Sequence, residues 1–217
     1  MLSERKSIVK KKIGVLVSGG GTNLQALLDA ERDGTLKSGT VALVVSNKPD
    51  VYALERAKNA GVETLCVDRK SFGNREMFEE TLLQELNKHE IDVLVLAGFM
   101  LVLSDGFTRA YQDRIVNVHP SLIPSFCGDG FYGLHVHERA LAYGVKVTGA
   151  TVHFVNEITD GGAIILQKAV EIEEGDTPEI LQKRVMEQAE HIILPQAVEL
   201  LCADKLKRDG RRVTILQ

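Results

Sequence analysis

The chain has 217 residues, 44% of them apolar and 26% charged, enough for a substantial hydrophobic core and unlike a disordered segment. Its formal net charge of −4 argues against a nucleic-acid binder, which usually carries a basic excess, and no apolar run reaches the roughly 18 residues of a membrane span. Three widely spaced cysteines, Cys66, Cys127 and Cys202, point to neither a zinc site nor a disulfide framework and fit a reducing cytoplasm, and no apolar region follows the basic Met1 to Lys12 as a signal peptide requires.

In chain order, Lys12 to Ser18 is a β-branched run that ends in Gly19-Gly20-Gly21, and Thr22 to Arg32 follows with helical periodicity through Leu24, Leu27 and Leu28. Val41 to Asn47 reads as a second strand, Tyr52 to Ala60 as a helix closed by Gly61, and Val62 to Asp68 as a third strand. Asn74 to His89 is an amphipathic helix with Met77, Phe78, Leu82, Leu83 and Leu86 on its inner face, and it leads into the continuous apolar run Asp92 to Ala97. Runs apolar on both faces belong to parallel strands covered by helices on both sides. The pattern therefore predicts an α/β, doubly wound, mostly parallel sheet.

After the strand Ile115 to His119, the segment Pro120 to Gly133 is too irregular for a regular element and reads as a long functional loop. Leu134 to Tyr143 forms a helix ended by Gly144, Val147 to Val155 and Ala163 to Ile172 form strands that extend the sheet antiparallel, and Arg212 to Leu216 adds a small last strand. Asp176-Thr177-Pro178-Glu179 carries a capping residue and an early proline, which predicts one long helix from about Pro178 to Cys202. With no repeat and no linker, one domain over 12–217 is expected after an extension over 1–11.

Candidate chemistry sits at three places. Ser18 to Asn23 joins a strand to a helix N-terminus, where N–H groups attract phosphate, and the Ser18, Thr22 and Asn23 side chains accompany the glycines as further donors; glycines needed only for a tight turn are the alternative. Gly19 and Gly21 fit the start of a dinucleotide fingerprint, but Leu24 stands at the third glycine and no Gly-Lys-Ser/Thr follows, which disfavours a nicotinamide-dependent dehydrogenase. Asn117 and His119, two apart on a strand stopped by Pro120, share one face and can hold an oxygen and move a proton, or else satisfy local backbone. Asp160, before Gly161 and Gly162, is either a turn residue or a carboxylate that orients one of His119, His135, His137, His153 and His191. His135 and His137 are spaced for metal pairing without an evident third ligand.

Taken in order, S-G-G-G-T-N-L-Q (Ser18 to Gln25), L-A-G-F-M (Leu96 to Met100), N-V-H-P-S-L-I-P (Asn117 to Pro124), T-V-H-F-V (Thr151 to Val155) and D-G-G (Asp160 to Gly162) resemble the phosphoribosylglycinamide formyltransferases, from about Lys12 to Cys202. The H-P-S-L-I-P part is shared with methionyl-tRNA formyltransferase and formyltetrahydrofolate hydrolase, which leaves the hydrolase or another formyltetrahydrofolate-dependent formyltransferase as the alternative activity. The resemblance implies formyl transfer from 10-formyltetrahydrofolate to glycinamide ribonucleotide in purine biosynthesis, with no metal, no nucleic acid and no membrane, in a cytoplasmic monomer or homodimer. It implies Asn117, His119 and Asp160 as catalytic residues, and Gly21, Thr22, Asn23 and Glu190 as substrate-binding. Arg75, Met100, Leu101, Val102, Leu103, Asn117, Asn156, Glu157, Ile158, Thr159 and Asp160 would bind folate. Residues 12–100 would then be the phosphate-binding half and 101–203 the folate-binding and catalytic half. Two departures stand out: Leu101 replaces a basic residue common in relatives, and Ser125 to Gly133 is longer than the expected Pro-Gly link, as a surface elaboration or a lid.

Overall fold

In the computed structural model, which describes residues 9–217, the apolar runs pair into one sheet. Strands β1 (Lys11–Val17), β2 (Gly39–Ser46), β3 (Glu63–Cys66), β4 (Val93–Leu96) and β5 (Ile115–His119) are parallel. β6 (Val147–Phe154) and β7 (Ile164–Glu171) extend the sheet antiparallel, giving the seven-stranded order β3-β2-β1-β4-β5-β6-β7. The doubly wound fold expected from the pattern is the one the chain adopts.

Alternation along each central strand explains why both faces need covering. Ile13, Val15 and Val17 of β1 pack with α1 (Thr22–Asp33) and α2 (Tyr52–Asn59) on one face, while Leu16 joins the other. That second face is covered by α3 (Arg75–Lys88), through Phe78, Leu82 and Leu86, and by the short α4 (Asp105–Ala110), through Phe107. Each such fully buried side chain contributes about 1.5–3 kcal/mol. Next in the chain come α5 (Leu134–Tyr143), α6 (Pro178–Val185) and α7 (His191–Cys202). α7 lies against α1 and the first core. None of the helices among the described residues is long and apolar enough to cross a membrane.

Several expectations are corrected. The helix from Pro178 to Cys202 is not uniform: a π turn over Met186–Glu190 separates α6 from α7, and Pro195 inside α7 lacks the N–H that a regular turn would use. Met77 is exposed, because it lies in the first turn of α3 beyond the edge of the sheet-covering stripe. α4 is an added element, started by Ser104, whose hydroxyl accepts the Phe107 N–H. The last strand pairs with a further one, so β8 (Leu206–Asp209) and β9 (Arg212–Ile215) make a separate hairpin. β1 already includes Lys11; residues 1–8 of the expected extension lie outside the described residues.

The strand order places the site. From central β1 the chain moves to β2 and β3 on one side, then returns to β4 on the other, so connections leave in opposite directions at the ends of β1 and β4. In open α/β sheets the crevice at such a switch point is where ligands bind.

Candidate active site

At the end of β1 the glycine turn is held from behind. The carbonyl of Gly19 accepts the Ala53 N–H at 3.1 Å, and that of Gly20 accepts from Arg56 Nε at 2.9 Å, while the first N–H groups of α1 have no acceptor within the helix. Gly21 caps α1 at φ 74°, and a Cβ there would come within 2.6 Å of Ala53 Cβ. Gly21→Ala is therefore expected to cost about 2–4 kcal/mol through strain and overpacking. In a thermal melt the midpoint should drop roughly 5–15 °C.

The side chains of this turn are not free, contrary to the expectation that they accompany the glycines as phosphate donors. Ser18 Oγ donates to Asn47 Oδ1 at 2.7 Å, Thr22 Oγ1 contacts Met186 Sδ at 3.3 Å, and Asn23 Nδ2 donates to Glu190 Oε2 at 2.7 Å. The π turn thus brings Met186 and Glu190 against the glycine turn. Burial pushes the Glu190 carboxyl up to about 7 against the pull of the Asn23 hydrogen bond. Asn23 Oδ1 is buried with no partner. A cavity of about 490 Å³ lies along α1 and α7, lined among others by Asp29, Asp33, His191 and Pro195, and of the glycine turn only Thr22 borders it.

On β5 the spacing of Asn117 and His119 does place both on one face, and Asp160 meets them there. His119 Nδ1 lies 3.4 Å from Asp160 Oδ2, His153 Nε2 lies 3.6 Å from Asp160 Oδ1, and Asn117 Nδ2 is 3.3 Å from His153 Nε2. Antiparallel pairing produces this cluster, since Asn117 sits opposite His153 in the register of β5 and β6. His153 Nδ1 is 2.8 Å from the Phe154 carbonyl, to which it can donate, and its Nε2 meets Asn117 Nδ2 and Asp160 Oδ1, so one N–H of Asn117 is directed at this ring. That leaves the second N–H of the Asn117 carboxamide for another acceptor. Asp160 is both a turn residue, at φ 52°, and a histidine partner. Gly162 has no room for a side chain, because a Cβ would lie 1.6 Å from the Phe154 carbonyl oxygen.

The longer loop reaches into this cluster through its backbone. The Phe126 carbonyl lies 2.9 Å from His119 Nε2, and the Gly128 N–H donates to Asp160 Oδ2 at 2.9 Å. His119 is only 4% exposed, and burial lowers its pKa below the ordinary imidazole value against the Asp160 carboxylate and the Phe126 carbonyl. Near neutrality the ring can therefore accept a proton. For Asp160, burial works upward, but His153, the His119 charge and the Gly128 N–H together hold the carboxyl below its usual range.

The two paired histidines of α5 part company. His135 is exposed and bonded to Glu138 Oε2 at 2.7 Å, whereas His137 is fully buried with neither ring nitrogen partnered. No group of three metal-ligating side chains occurs among the described residues. Burial and the nearby His119 push His137 down from 6.5 to about 4. Unfolded chains then bind the extra proton between those values, so stability falls as pH drops from 6.5 toward 4. Urea titrations across that window should show a slope worth on the order of 2–3 kcal/mol, flattened in His137→Leu.

The residues expected to hold folate are spread along two segments. Met100 and Val102 are exposed and Leu101 half-buried, but Leu103 is buried in the second core and offers only backbone. Asn156 and Thr159 are half-buried, Glu157 and Ile158 exposed. Arg75 is tied to Glu79 at 2.9 Å, and the buried Glu79 in turn accepts the Ser104 N–H at 2.8 Å. Among the contacts that sequence reasoning missed are Arg56, Met186 and the Phe126 and Gly128 backbone groups. Of these only Arg56, a cation one helix from a glycine turn, left a signal in residue type.

Comparison with known proteins bears on the whole chain. The formyl transferase family matches residues 11–198. The phosphoribosylglycinamide formyltransferase of Escherichia coli K12 is 42% identical over 208 residues, which covers 93% of this chain and 95% of that protein. The trifunctional purine biosynthetic protein adenosine-3 of Drosophila melanogaster is 45% identical over 202 residues, but the chain spans only 14% of its length. The crystal structure of glycinamide ribonucleotide transformylase 1 from Symbiobacterium toebii superimposes with a TM-score of 0.90 at 45% identity, covering 96% of this chain and 95% of that one.

Proposed function

The chain belongs to the formyl transferase family, and from that premise we infer that it passes the formyl group of 10-formyltetrahydrofolate to the amine of glycinamide ribonucleotide, a step of de novo purine biosynthesis. The products are formylglycinamide ribonucleotide and tetrahydrofolate. The observation that carries the reading is that the same edge of the parallel strands β1, β4 and β5 holds both a glycine turn at a helix N-terminus, after β1, and the Asn117–His119–Asp160 cluster, at the end of β5.

In this reading the ribonucleotide phosphate takes the N–H groups of Gly21, Thr22 and Asn23, where the helix dipole also favours an anion. Glu190 faces the ribose or amine end. The amine attacks the formyl carbon and forms a C–N bond, and the carbonyl oxygen becomes an oxyanion that accepts the free N–H of Asn117. His119 takes the proton released by the attacking nitrogen and returns it to the folate nitrogen as the C–N10 bond breaks, so no proton is gained or lost. Asp160 orients His119 and stabilises its cationic form between the two transfers. The folate lies along Met100 to Leu103 and Asn156 to Asp160, with Arg75 near its acidic end; Leu101 adds no charge there. Residues 12–100 serve the phosphate and 101–203 the folate and the chemistry, and the reading carries a cytoplasmic setting with small-molecule ligands only.

Consumption of 10-formyltetrahydrofolate, followed with and without glycinamide ribonucleotide, tests this assignment. Turnover that requires the ribonucleotide is expected. Equal consumption in its absence, with water as acceptor, would instead make the chain a formyltetrahydrofolate hydrolase.

A further inference from the structure

We propose that Ser18 is a positioning residue that ties the phosphate-binding turn to the folate-binding segment and so sets the approach of the amine to the formyl carbon. The proposal rests on the reading of Gly21 to Asn23 and of Met100 to Leu103 given above. β1 and β4 run side by side as far as Leu16 and Leu96, and Ala97 N–H still reaches the Leu16 carbonyl at 3.0 Å. Beyond that bond the two chains separate, one into the glycine turn and the other around Gly98 at φ 71°.

The Ser18 hydroxyl spans the opening. It donates to Asn47 Oδ1 at 2.7 Å and accepts the Met100 N–H at 2.9 Å. Three chain segments, following β1, β2 and β4, therefore meet at one oxygen. Ser18 is 7% exposed and Asn47 3%, so water competes little for these bonds, and a hydroxyl that donates and accepts at once strengthens both. A serine hydroxyl has one proton to donate, and Asn47 takes it. Ser18 consequently has no donor left for a phosphate, which distinguishes a positioning role from ligand contact.

The two segments joined by this hydroxyl face different substrates. The glycine turn fixes the ribonucleotide by its phosphate, and Met100 opens the stretch along which the folate lies. Loosening the tie leaves each binding surface intact but lets the two reactants shift relative to one another. Misplacement by about an ångström costs a reaction on the order of 100-fold in rate.

Steady-state kinetics and ligand binding of Ser18→Ala and of the near-isosteric Ser18→Cys test the proposal against the wild type. The expected result is a kcat lowered roughly 10- to 100-fold in Ser18→Ala and less in Ser18→Cys, with both KM values within about threefold. Hydrogen exchange at the Met100 amide should quicken in parallel. An unchanged kcat, or a loss confined to KM, overturns the proposal, and Ser18→Cys carries the same test if Ser18→Ala does not fold. A wild-type chain that transfers no formyl group would sink the functional reading separately. The tie would then be read from calorimetry of glycinamide ribonucleotide and tetrahydrofolate, each titrated alone and in the presence of the other. Coupling in the wild type that is lost in Ser18→Ala supports it, and equal coupling in both, or none in either, overturns it.

Discussion

His119→Ala is expected to lower kcat/KM for formyl transfer by about 1,000-fold or more, with KM little changed, because the proton relay acts only as the reaction proceeds. That is about 4 kcal/mol of lost transition-state stabilisation. The imidazole faces the carboxylate of Asp160 through Nδ1 and has a pKa lowered by burial, so it is the ring of the cluster able to take a proton near neutrality once Nε2 exchanges the Phe126 carbonyl for substrate. Nothing nearby replaces it. His153 is engaged with the Phe154 carbonyl and Asn117, and His137, though buried, is partnered by neither. Pre-steady-state measurement of the chemical step, with circular dichroism to verify the fold, checks this. A variant within tenfold of wild type would remove His119 from the mechanism.

Asp160→Asn carries the second large effect, a loss of roughly 100- to 10,000-fold in kcat with the fold retained. The amide keeps the shape and can still accept the Gly128 N–H, so the change isolates charge. Its pH signature has a definite sign. Asp160 raises the His119 pKa, and removing the charge leaves burial to lower it further. The acid limb of the pH–rate profile belongs to protonation of His119 and should therefore move to lower pH in Asp160→Asn, even as the plateau rate falls. A limb that moves to higher pH, or stays in place, would mean that another group controls it.

Much of this site was legible because strands have a period of two. Asn117 and His119 were expected on one face from spacing alone, and the antiparallel partner β6 then brings His153 opposite Asn117. The glycine turn was legible for the same reason as the sheet, since it falls where an apolar run meets a helical pattern. Its side chains are not: a short hydroxyl or amide beside three glycines resembles a phosphate donor, but Ser18, Thr22 and Asn23 each have a protein partner, and Ser18 and Asn23 are buried. Which way so small a side chain points is decided by neighbours from β2, β4 and the π turn, distant in sequence.

Other features left no residue-type trace. The contacts of Phe126 and Gly128 with His119 and Asp160 are made by backbone atoms, which every residue possesses. The π turn over Met186–Glu190 adds a residue to a helix whose apolar spacing otherwise reads as continuous, and it is this turn that lets Glu190 bury its carboxyl against Asn23. The longer loop, which the sequence allows as either a surface elaboration or a lid, touches His119 and Asp160 through its backbone, with Phe126 also packed edge-on against Tyr143 of α5 at 6.0 Å.

The most direct measurement follows the formyl carbon itself. With 13C-labelled 10-formyltetrahydrofolate and glycinamide ribonucleotide in a single turnover, carbon NMR should show the label moving to the glycinamide nitrogen in the wild type and staying on the folate in His119→Ala. Release of the label as free formate, or transfer at equal rates in both proteins, would contradict the account.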